Sequence, residues 1–310
     1  MYIANKKSRN NKIKEKIKEI NAMTDSARAV DYLRRIIGLR KRKSRKKTLP
    51  INKLNKSLQK NYSDILFWLS SELEKEIKKH ILPAAERVKS NPNLQAVDIF
   101  NDAFRSLELQ SAVLVDTSLK LSEVVISGIN KDNKAKWMDS MRKVVGVDIS
   151  NVVTSEVVQK QLQIMTEENF NLIKSIPENE LSKIKTIILQ ELSQGNFEQT
   201  DIKELLEKQF GITKNRARFI AHDQAHKLNA SLSRIRNESV GVTEYVWRNS
   251  NDLRVRGNPV GFYPKTKYSH WEREGKIFSY DKPPPDGNPG MPIRCRCYAE
   301  AVLPKIYDED

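Results

Sequence analysis

Between Ile51 and Ile81 apolar side chains recur at three- and four-residue steps: Ile51, Leu54, Leu58, Tyr62, Ile65, Leu69, Leu73, Ile77 and Ile81. A helix turns once in about 3.6 residues, so this spacing lays them on one face and predicts a long amphipathic helix. Pro83, which cannot donate a backbone hydrogen bond, is expected to stop it. The same periodicity predicts helices at about 94–128, 134–145, 151–175 and 178–194, with Pro92, Gly128, Gly146, Pro177 and Gly195 as the breaks. A short helix is expected from Thr200 to Phe210, ended by Gly211. Thr213 then caps a longer one reaching about Asn237, with Gly241 just beyond its end. Stripes of this kind are packing faces, not sites.

After Gly241 the texture changes. Thr243-Glu244-Tyr245-Val246-Trp247-Arg248 alternates apolar and polar character in strand-forming residues and predicts a β-strand. Behind it come Gly257, Pro259, Gly261, Pro264, Pro283-Pro284-Pro285-Asp286-Gly287 and Pro289-Gly290, a density of turn formers that fixes loops. The expected fold class is therefore α+β: a mostly α-helical N-terminal two-thirds, then a small C-terminal α+β module with short strands and Gly/Pro-rich loops. The expected divisions are an arm over 1–50, a helical domain over 51–210 and the C-terminal module over 211–310. No internal repeat is visible.

Composition narrows the class. With 38% apolar and 30% charged residues in 310, the chain can bury real cores. It contains no run of about 18 uncharged apolar residues, and its lysine-bearing start lacks an apolar segment followed by a small-residue cleavage site. Neither stable membrane insertion nor signal-directed secretion is expected. The two cysteines, Cys295 and Cys297, are one residue apart, which strains any disulfide between them. A reducing compartment fits.

Charge is more informative once it is located. Residues 1–60 hold 20 Lys or Arg against 4 Asp or Glu, whereas residues 61–310 hold 35 of each sign. The whole net charge of +16 thus lies in the first fifth of the chain. Its densest part, Arg40-Lys41-Arg42-Lys43-Ser44-Arg45-Lys46-Lys47, places seven cations in eight residues, with Arg34 and Arg35 shortly before. Such a run repels itself unless a polyanion neutralises it, and the phosphate backbone of DNA is the expected partner. The run contains no aromatic residue on which bases could stack, so binding should be largely indifferent to sequence. A solvated charged linker is the bland alternative. A basic membrane-surface helix is another, since Ile13, Ile17, Ile20, Leu33, Ile36, Ile37 and Leu39 would give it an apolar side.

Three constellations in the C-terminal third could carry chemistry. His222-Asp223-Gln224-Ala225-His226 sets two histidines four residues apart, as in zinc-protease helices, but Asp is one methylene short of the Glu that reaches a metal-bound water. Helix-face residues are the plainer reading. Cys295-Arg296-Cys297, with His270, Asp252 and Asn288 available, offers two thiolates and an imidazole, a donor set suited to zinc. Alternatively, the cysteines merely alternate across a strand, Cys295 packed inward and Arg296 paired with an acid such as Asp252. Asp252-Leu253-Arg254-Val255-Arg256 is either a salt-bridged corner or an arginine held ready for a phosphate or another protein.

Taken in order, these segments resemble one family. Arg216-Ala217-Arg218-Phe219-Ile220-Ala221, Asp223-Gln224, Lys227-Leu228-Asn229, Tyr245-Val246-Trp247-Arg248, Asp252-Leu253-Arg254-Val255-Arg256, Gly275-Lys276-Ile277-Phe278, Asp281-Lys282-Pro283-Pro284-Pro285, Pro289-Gly290 and Cys295-Arg296-Cys297 follow one another as in phage Mu F-like minor head proteins, over about residues 200–305. The resemblance singles out Arg216, Arg218, Asp223, Asn229, Trp247, Asp252, Arg254, Arg256, His270, Cys295, Arg296 and Cys297. It implies a structural protein of phage head morphogenesis, present in the virion in few copies. Its partners would be the portal, the capsid or procapsid and DNA, in the host cytoplasm during assembly and in the capsid interior afterwards.

The chain departs from that pattern in three places. The family's histidine after the D-x-R-V-R segment is delayed to His270 by an insertion, Gly257 to Lys267. Asn288 stands where a second histidine is common, and His222 where arginine is typical. If the family's His and Cys positions form a zinc site, His270, Cys295 and Cys297 are retained and one ligand is missing. No cofactor is therefore expected, zinc being the exception to test. No catalytic residue is assigned. The competing function is a metal-dependent hydrolase or nuclease built on His270, the cysteine pair and Asp252.

Overall fold

The computed structural model describes residues 48–91, 95–145 and 155–303. The arm, including Arg34, Arg35, Arg40, Lys41, Arg42, Lys43, Arg45, Lys46 and Lys47, lies outside them. Among the described residues four long helices come first: α1 (Lys56–Ser90), α2 (Ala96–Val145), α3 (Ser155–Ser193) and α4 (Ile202–Ser239). Then follow β1 (Glu244–Arg248), a single 3-10 turn (Trp271–Arg273), β2 (Ile277–Ser279) and β3 (Tyr298–Val302). The fold is α+β in the order expected. Among the described residues no helix is long and apolar enough to cross a membrane.

The helices are fewer and longer than the pattern predicts, because residues taken as breaks lie inside them. α1 begins at Lys56 rather than Ile51 and passes through Pro83. Ile81, Ala84, Ala85 and Val88 are all buried around that proline, so packing on both sides offsets the roughly 3 kcal/mol a helical proline costs. Gly128 lies inside α2, where it serves packing: a Cβ there would meet the Leu58 side chain at 3.1 Å. Pro177 lies inside α3 between the buried Ile176 and Leu181. α4 runs through Gly211, so residue 210 is not an element boundary. Thr213 is no cap; its buried hydroxyl donates to the Glu180 carboxylate.

Two stops hold. Gly195 follows α3 at φ +70°, and Gly241 follows α4 at φ +78°. At the second, Val242 N–H reaches back to Asn237 O (2.9 Å) and Gly241 N–H to Glu238 O (3.0 Å), a Schellman turn that requires the left-handed backbone glycine supplies.

The described residues divide into two units: those within Lys56–Gly128 and Ile164–Ala225, and those within Met1–Asn55, Ile129–Gln163 and His226–Asp310. The first is helical, with a core of aliphatic and aromatic side chains that includes Leu73, Ile77 and Ile81 of α1, Phe100 and Phe104 of α2, Ile184 and Ile188 of α3, and Leu206 and Phe210 of α4. Phe100 and Phe197 meet edge-on at 5.4 Å.

The second unit carries the sheet, of order β2-β1-β3 and antiparallel throughout. Register is set by Tyr245 opposite Phe278 on one side of β1 and Ala301 on the other. Thr48 bridges Val302, with Leu49 N–H donating to Ala301 O at 2.9 Å. A buried polar network joins helix segments of this unit. Asn133 donates to Asn229 Oδ1 (2.9 Å) and Ser233 Oγ (2.8 Å), while Arg236 donates to Asn133 and to Asn130 Oδ1 (2.5 Å).

Candidate metal centre

Tyr245, Val246 and Trp247 are all buried, so β1 is covered on both faces as a central strand should be. Trp247 and Tyr245 form a cluster with Tyr280, Cys295 and Cys297, against which Phe278 and Ala299 pack. Two loops bring chemistry to this cluster. Residues 253–263 close on themselves through Phe262 N–H to Leu253 O (2.7 Å) and Gly257 N–H to Tyr263 O (2.9 Å). Gly257, at φ +80°, has no room for a Cβ beside Ser269. The backbone N–H groups of His270 and Trp271 then both donate to Arg256 O at 3.0 Å, seating His270 at the start of the 3-10 turn.

His270, Cys295 and Cys297 converge. His270 Nδ1 lies 3.6 Å from Cys295 Sγ and 3.5 Å from Cys297 Sγ. All three donor atoms lie within 4.8 Å of one another, and all three residues are buried. Both thiols are free. The other ring nitrogen, Nε2, faces Asp286 Oδ2 at 2.9 Å, and the second carboxylate oxygen of Asp286 is 2.6 Å from Arg273 Nη1. Arg273 in turn stacks over the Trp247 ring, 4.9 Å from its centroid, and that ring meets His270 edge-on at 5.1 Å.

The electrostatics of the group are unequal. The hydrogen bond with Cys297 is the main cause that holds the Cys295 thiol well below its ordinary range; His270 adds to it, against the opposing effect of burial. The same bond, burial and the charge of Cys295 push the Cys297 thiol up. Burial would raise the Asp286 carboxyl, but hydrogen bonds from His270 and Arg273 outweigh it and hold the group below the usual carboxylate range.

A cavity of about 200 Å³ opens beside the group, lined among others by Arg254, Arg256, Arg294, Arg296, His270 and both cysteines. Asp252 is not a member. Its carboxylate accepts from Arg296 (2.6 Å) and from Arg254 N–H (2.8 Å), which makes it the salt-bridged corner, with Arg296 paired as expected. Asn288 stands apart as well, its amide oxygen accepting from Tyr245 Oη at 2.8 Å.

Residues 182–300 match the family model described as "Phage Mu protein F like protein". This segment is similar to phage Mu protein F. A Haemophilus influenzae protein described as uncharacterized is 33% identical over 180 residues, which is 57% of this chain and 38% of that protein. The chain thus spans well under half the length of that relative. No solved structure matches.

The Mu F-like region contains every residue of the converged group, Asp286 and Arg273 included. Of the remaining motif residues, Trp247, Arg254, Arg256 and Arg296 lie beside the group, whereas those of α4 have other partners. Arg216 is exposed and donates to Ser175 Oγ (3.1 Å); Arg218 lies over the Phe67 ring at 4.9 Å. Asp223 is buried, as is Asn229, whose side chain donates to Asn52 O (2.8 Å) and accepts from Asn133. Arg256 donates to Ile293 O. His222 Nδ1 faces Gln59 Nε2 at 3.0 Å, and the His226 ring lies 6.3 Å from that of Tyr298. Among the described residues no other His, Cys, Asp or Glu group of three converges. The residues that sequence reasoning missed are Asp286 and Arg273. Asp286 sat inside a turn read only for its prolines and glycine, although an acid in a rigid turn is a natural partner for a buried histidine.

Proposed function

We propose that this chain is a structural protein of phage head morphogenesis, joining the portal and growing procapsid through its Mu F-like region and neutralising DNA phosphates through the arm. The observation that carries the reading is the family match over residues 182–300. Two features of the sequence and structure agree with it. The net charge of +16 is confined to residues 1–60, as a polyanion-binding arm requires. Leu253, Val260, Phe262 and Ile293 are large apolar side chains left exposed in the Mu F-like region, as befits a surface that meets another protein.

The hydrolase alternative lacks comparable support. Asp252 is engaged by Arg296, and Asp286 by His270 and Arg273, so neither carboxylate is poised as a base.

Proheads assembled with the full chain should contain it, and a variant lacking 211–310 should be missing from them at equal expression. Wild-type incorporation of that variant would overturn the docking half of the proposal. For the arm, the logarithm of DNA affinity should fall with log salt at a slope of about −6 if the seven cations of 40–47 each meet a phosphate. Undiminished affinity after deletion of residues 1–50 would overturn the DNA half.

A further inference from the structure

The geometry points to a zinc site: His270 Nδ1, Cys295 Sγ and Cys297 Sγ hold one Zn²⁺, and the fourth coordination position faces the arginine-lined cavity. This goes beyond the assembly role and does not depend on it.

The separations are the first argument. Zinc–sulfur bonds of about 2.3 Å and a zinc–nitrogen bond of about 2.05 Å at tetrahedral angles place nitrogen and sulfur about 3.6 Å apart. The nitrogen lies 3.6 and 3.5 Å from the two sulfurs. Without a cation the group rests on weak thiol hydrogen bonds, between Cys297 and Cys295 and to His270. One imidazole nitrogen faces two sulfurs, and its single lone pair takes a proton from only one of them. Nor do the thiols relieve one another as a disulfide, since only one residue separates them and both are free.

The surroundings of the ligands are the second argument. A metal-bound histidine commonly gives its other N–H to a carboxylate, which fixes the tautomer and aims the free lone pair at the metal. Asp286 stands at 2.9 Å from Nε2 and is itself anchored by Arg273 at 2.6 Å, so Nδ1 is left to face the sulfurs. Gly290 N–H approaches Cys295 Sγ at 3.3 Å, the kind of donor that settles a metal thiolate. Gly290 is fixed there for a steric reason too: at φ +86°, a Cβ on it would lie 2.7 Å from that of Ala230.

Donor chemistry selects the ion. Two sulfurs and one imidazole suit zinc and exclude the hard cations magnesium and calcium, which take oxygen. Among the described residues no fourth His, Cys, Asp or Glu donor joins the group, which leaves the last position to water. Arg254, Arg256 and Arg294 line the cavity on that side, making it hospitable to hydroxide or a small anion rather than to a second metal.

The test uses the full chain, untagged and purified without chelator. Elemental analysis should find about one zinc per chain, and the Cys295→Ser/Cys297→Ser double variant should lose it. Replacing zinc with cobalt in the wild-type protein should give thiolate charge-transfer absorption and the intense visible bands of a tetrahedral site, a readout independent of whether any variant folds. Asp286→Asn keeps all three ligands and should weaken zinc affinity about 10- to 100-fold. No zinc and no cobalt spectrum in the wild-type chain would overturn the proposal. So would zinc retained in full by the double cysteine variant.

Discussion

The two units solve the same problem, holding a chain together, in opposite ways. The helical unit is redundant: Leu73, Ile77, Ile81, Phe100, Phe104, Ile184, Ile188 and Phe210 share one continuous core, and each replaces part of what its neighbours do. The sheet-bearing unit is not. Beside its three short strands it packs a small cluster of Tyr245, Trp247, Tyr280 and two cysteines, in which aromatic and polar contacts are specific to their partners. Trp247 touches His270, Phe278 and Arg273 at once. Aliphatic cores tolerate loss in proportion to volume, whereas constellations of specific groups fail as a whole.

The largest effect should therefore come from Trp247→Ala. Removing a fully buried indole costs about 3–5 kcal/mol in an ordinary core. Here it also releases Arg273 and the edge contact to His270, so thermal unfolding should split, with the strand signal lost first and most helicity surviving. A single unsplit transition, shifted slightly, would remove the contrast between the units. Ile77→Ala is the matched probe on the other side. It should lower stability by about 2–4 kcal/mol, the range for aliphatic truncation in a core, while leaving metal content unchanged. Loss of zinc from this variant would show that the two units do not fail separately.

The smallest effect concerns Glu180, the one carboxylate in the helical unit that burial pushes up despite hydrogen bonds from Thr213 and Gln209. Its folded-state pKa exceeds the unfolded value, so the stability it contributes is complete below the ordinary carboxylate range and is lost as pH rises through the raised value. Glu180→Gln keeps an acceptor and removes the charge. The variant should melt higher than wild type at pH 7–8, by less than Ile77→Ala melts lower, and the difference should vanish under acidic conditions. A difference independent of pH would exclude a buried charge as its cause.

Much of this was legible in the chain. Helical periodicity, repeated over many turns, located the core faces, and the dense strand-forming run around Tyr245-Val246-Trp247 located β1. What misled was punctuation. Pro83, Gly128, Pro177 and Gly211 look like stops when each is read alone, yet packing carried the helices through them. β2 and β3 were not located individually: β2 has only three residues, and Tyr298-Ala299-Glu300-Ala301-Val302 carries fewer strand-forming residues than the Tyr245-Val246-Trp247 run of β1. In the candidate site, His270, Cys295 and Cys297 were visible as ligand types. Their convergence was not, because the insertion from Gly257 to Lys267 folds back on itself and hides how close His270 returns to the strand. Replacement of a family histidine by Asn288 argued against a metal, but Asn288 is committed to Tyr245, so its identity says little about the three proposed ligands.

Arg236 offers a practical consequence. It is 1% exposed, its partners are the amides of Asn133 and Asn130 rather than carboxylates, and burial pushes its pKa down to about 10. Neutral partners are not screened by dissolved ions, whereas contacts between an arm and phosphate weaken steeply as salt rises. Ionic strength thus separates two kinds of cation in one molecule. If the arm binds nucleic acid as proposed, a wash salty enough to strip it would leave this arginine and the residues packed around it undisturbed, giving DNA-free protein with the cysteine and histidine group still in its native setting.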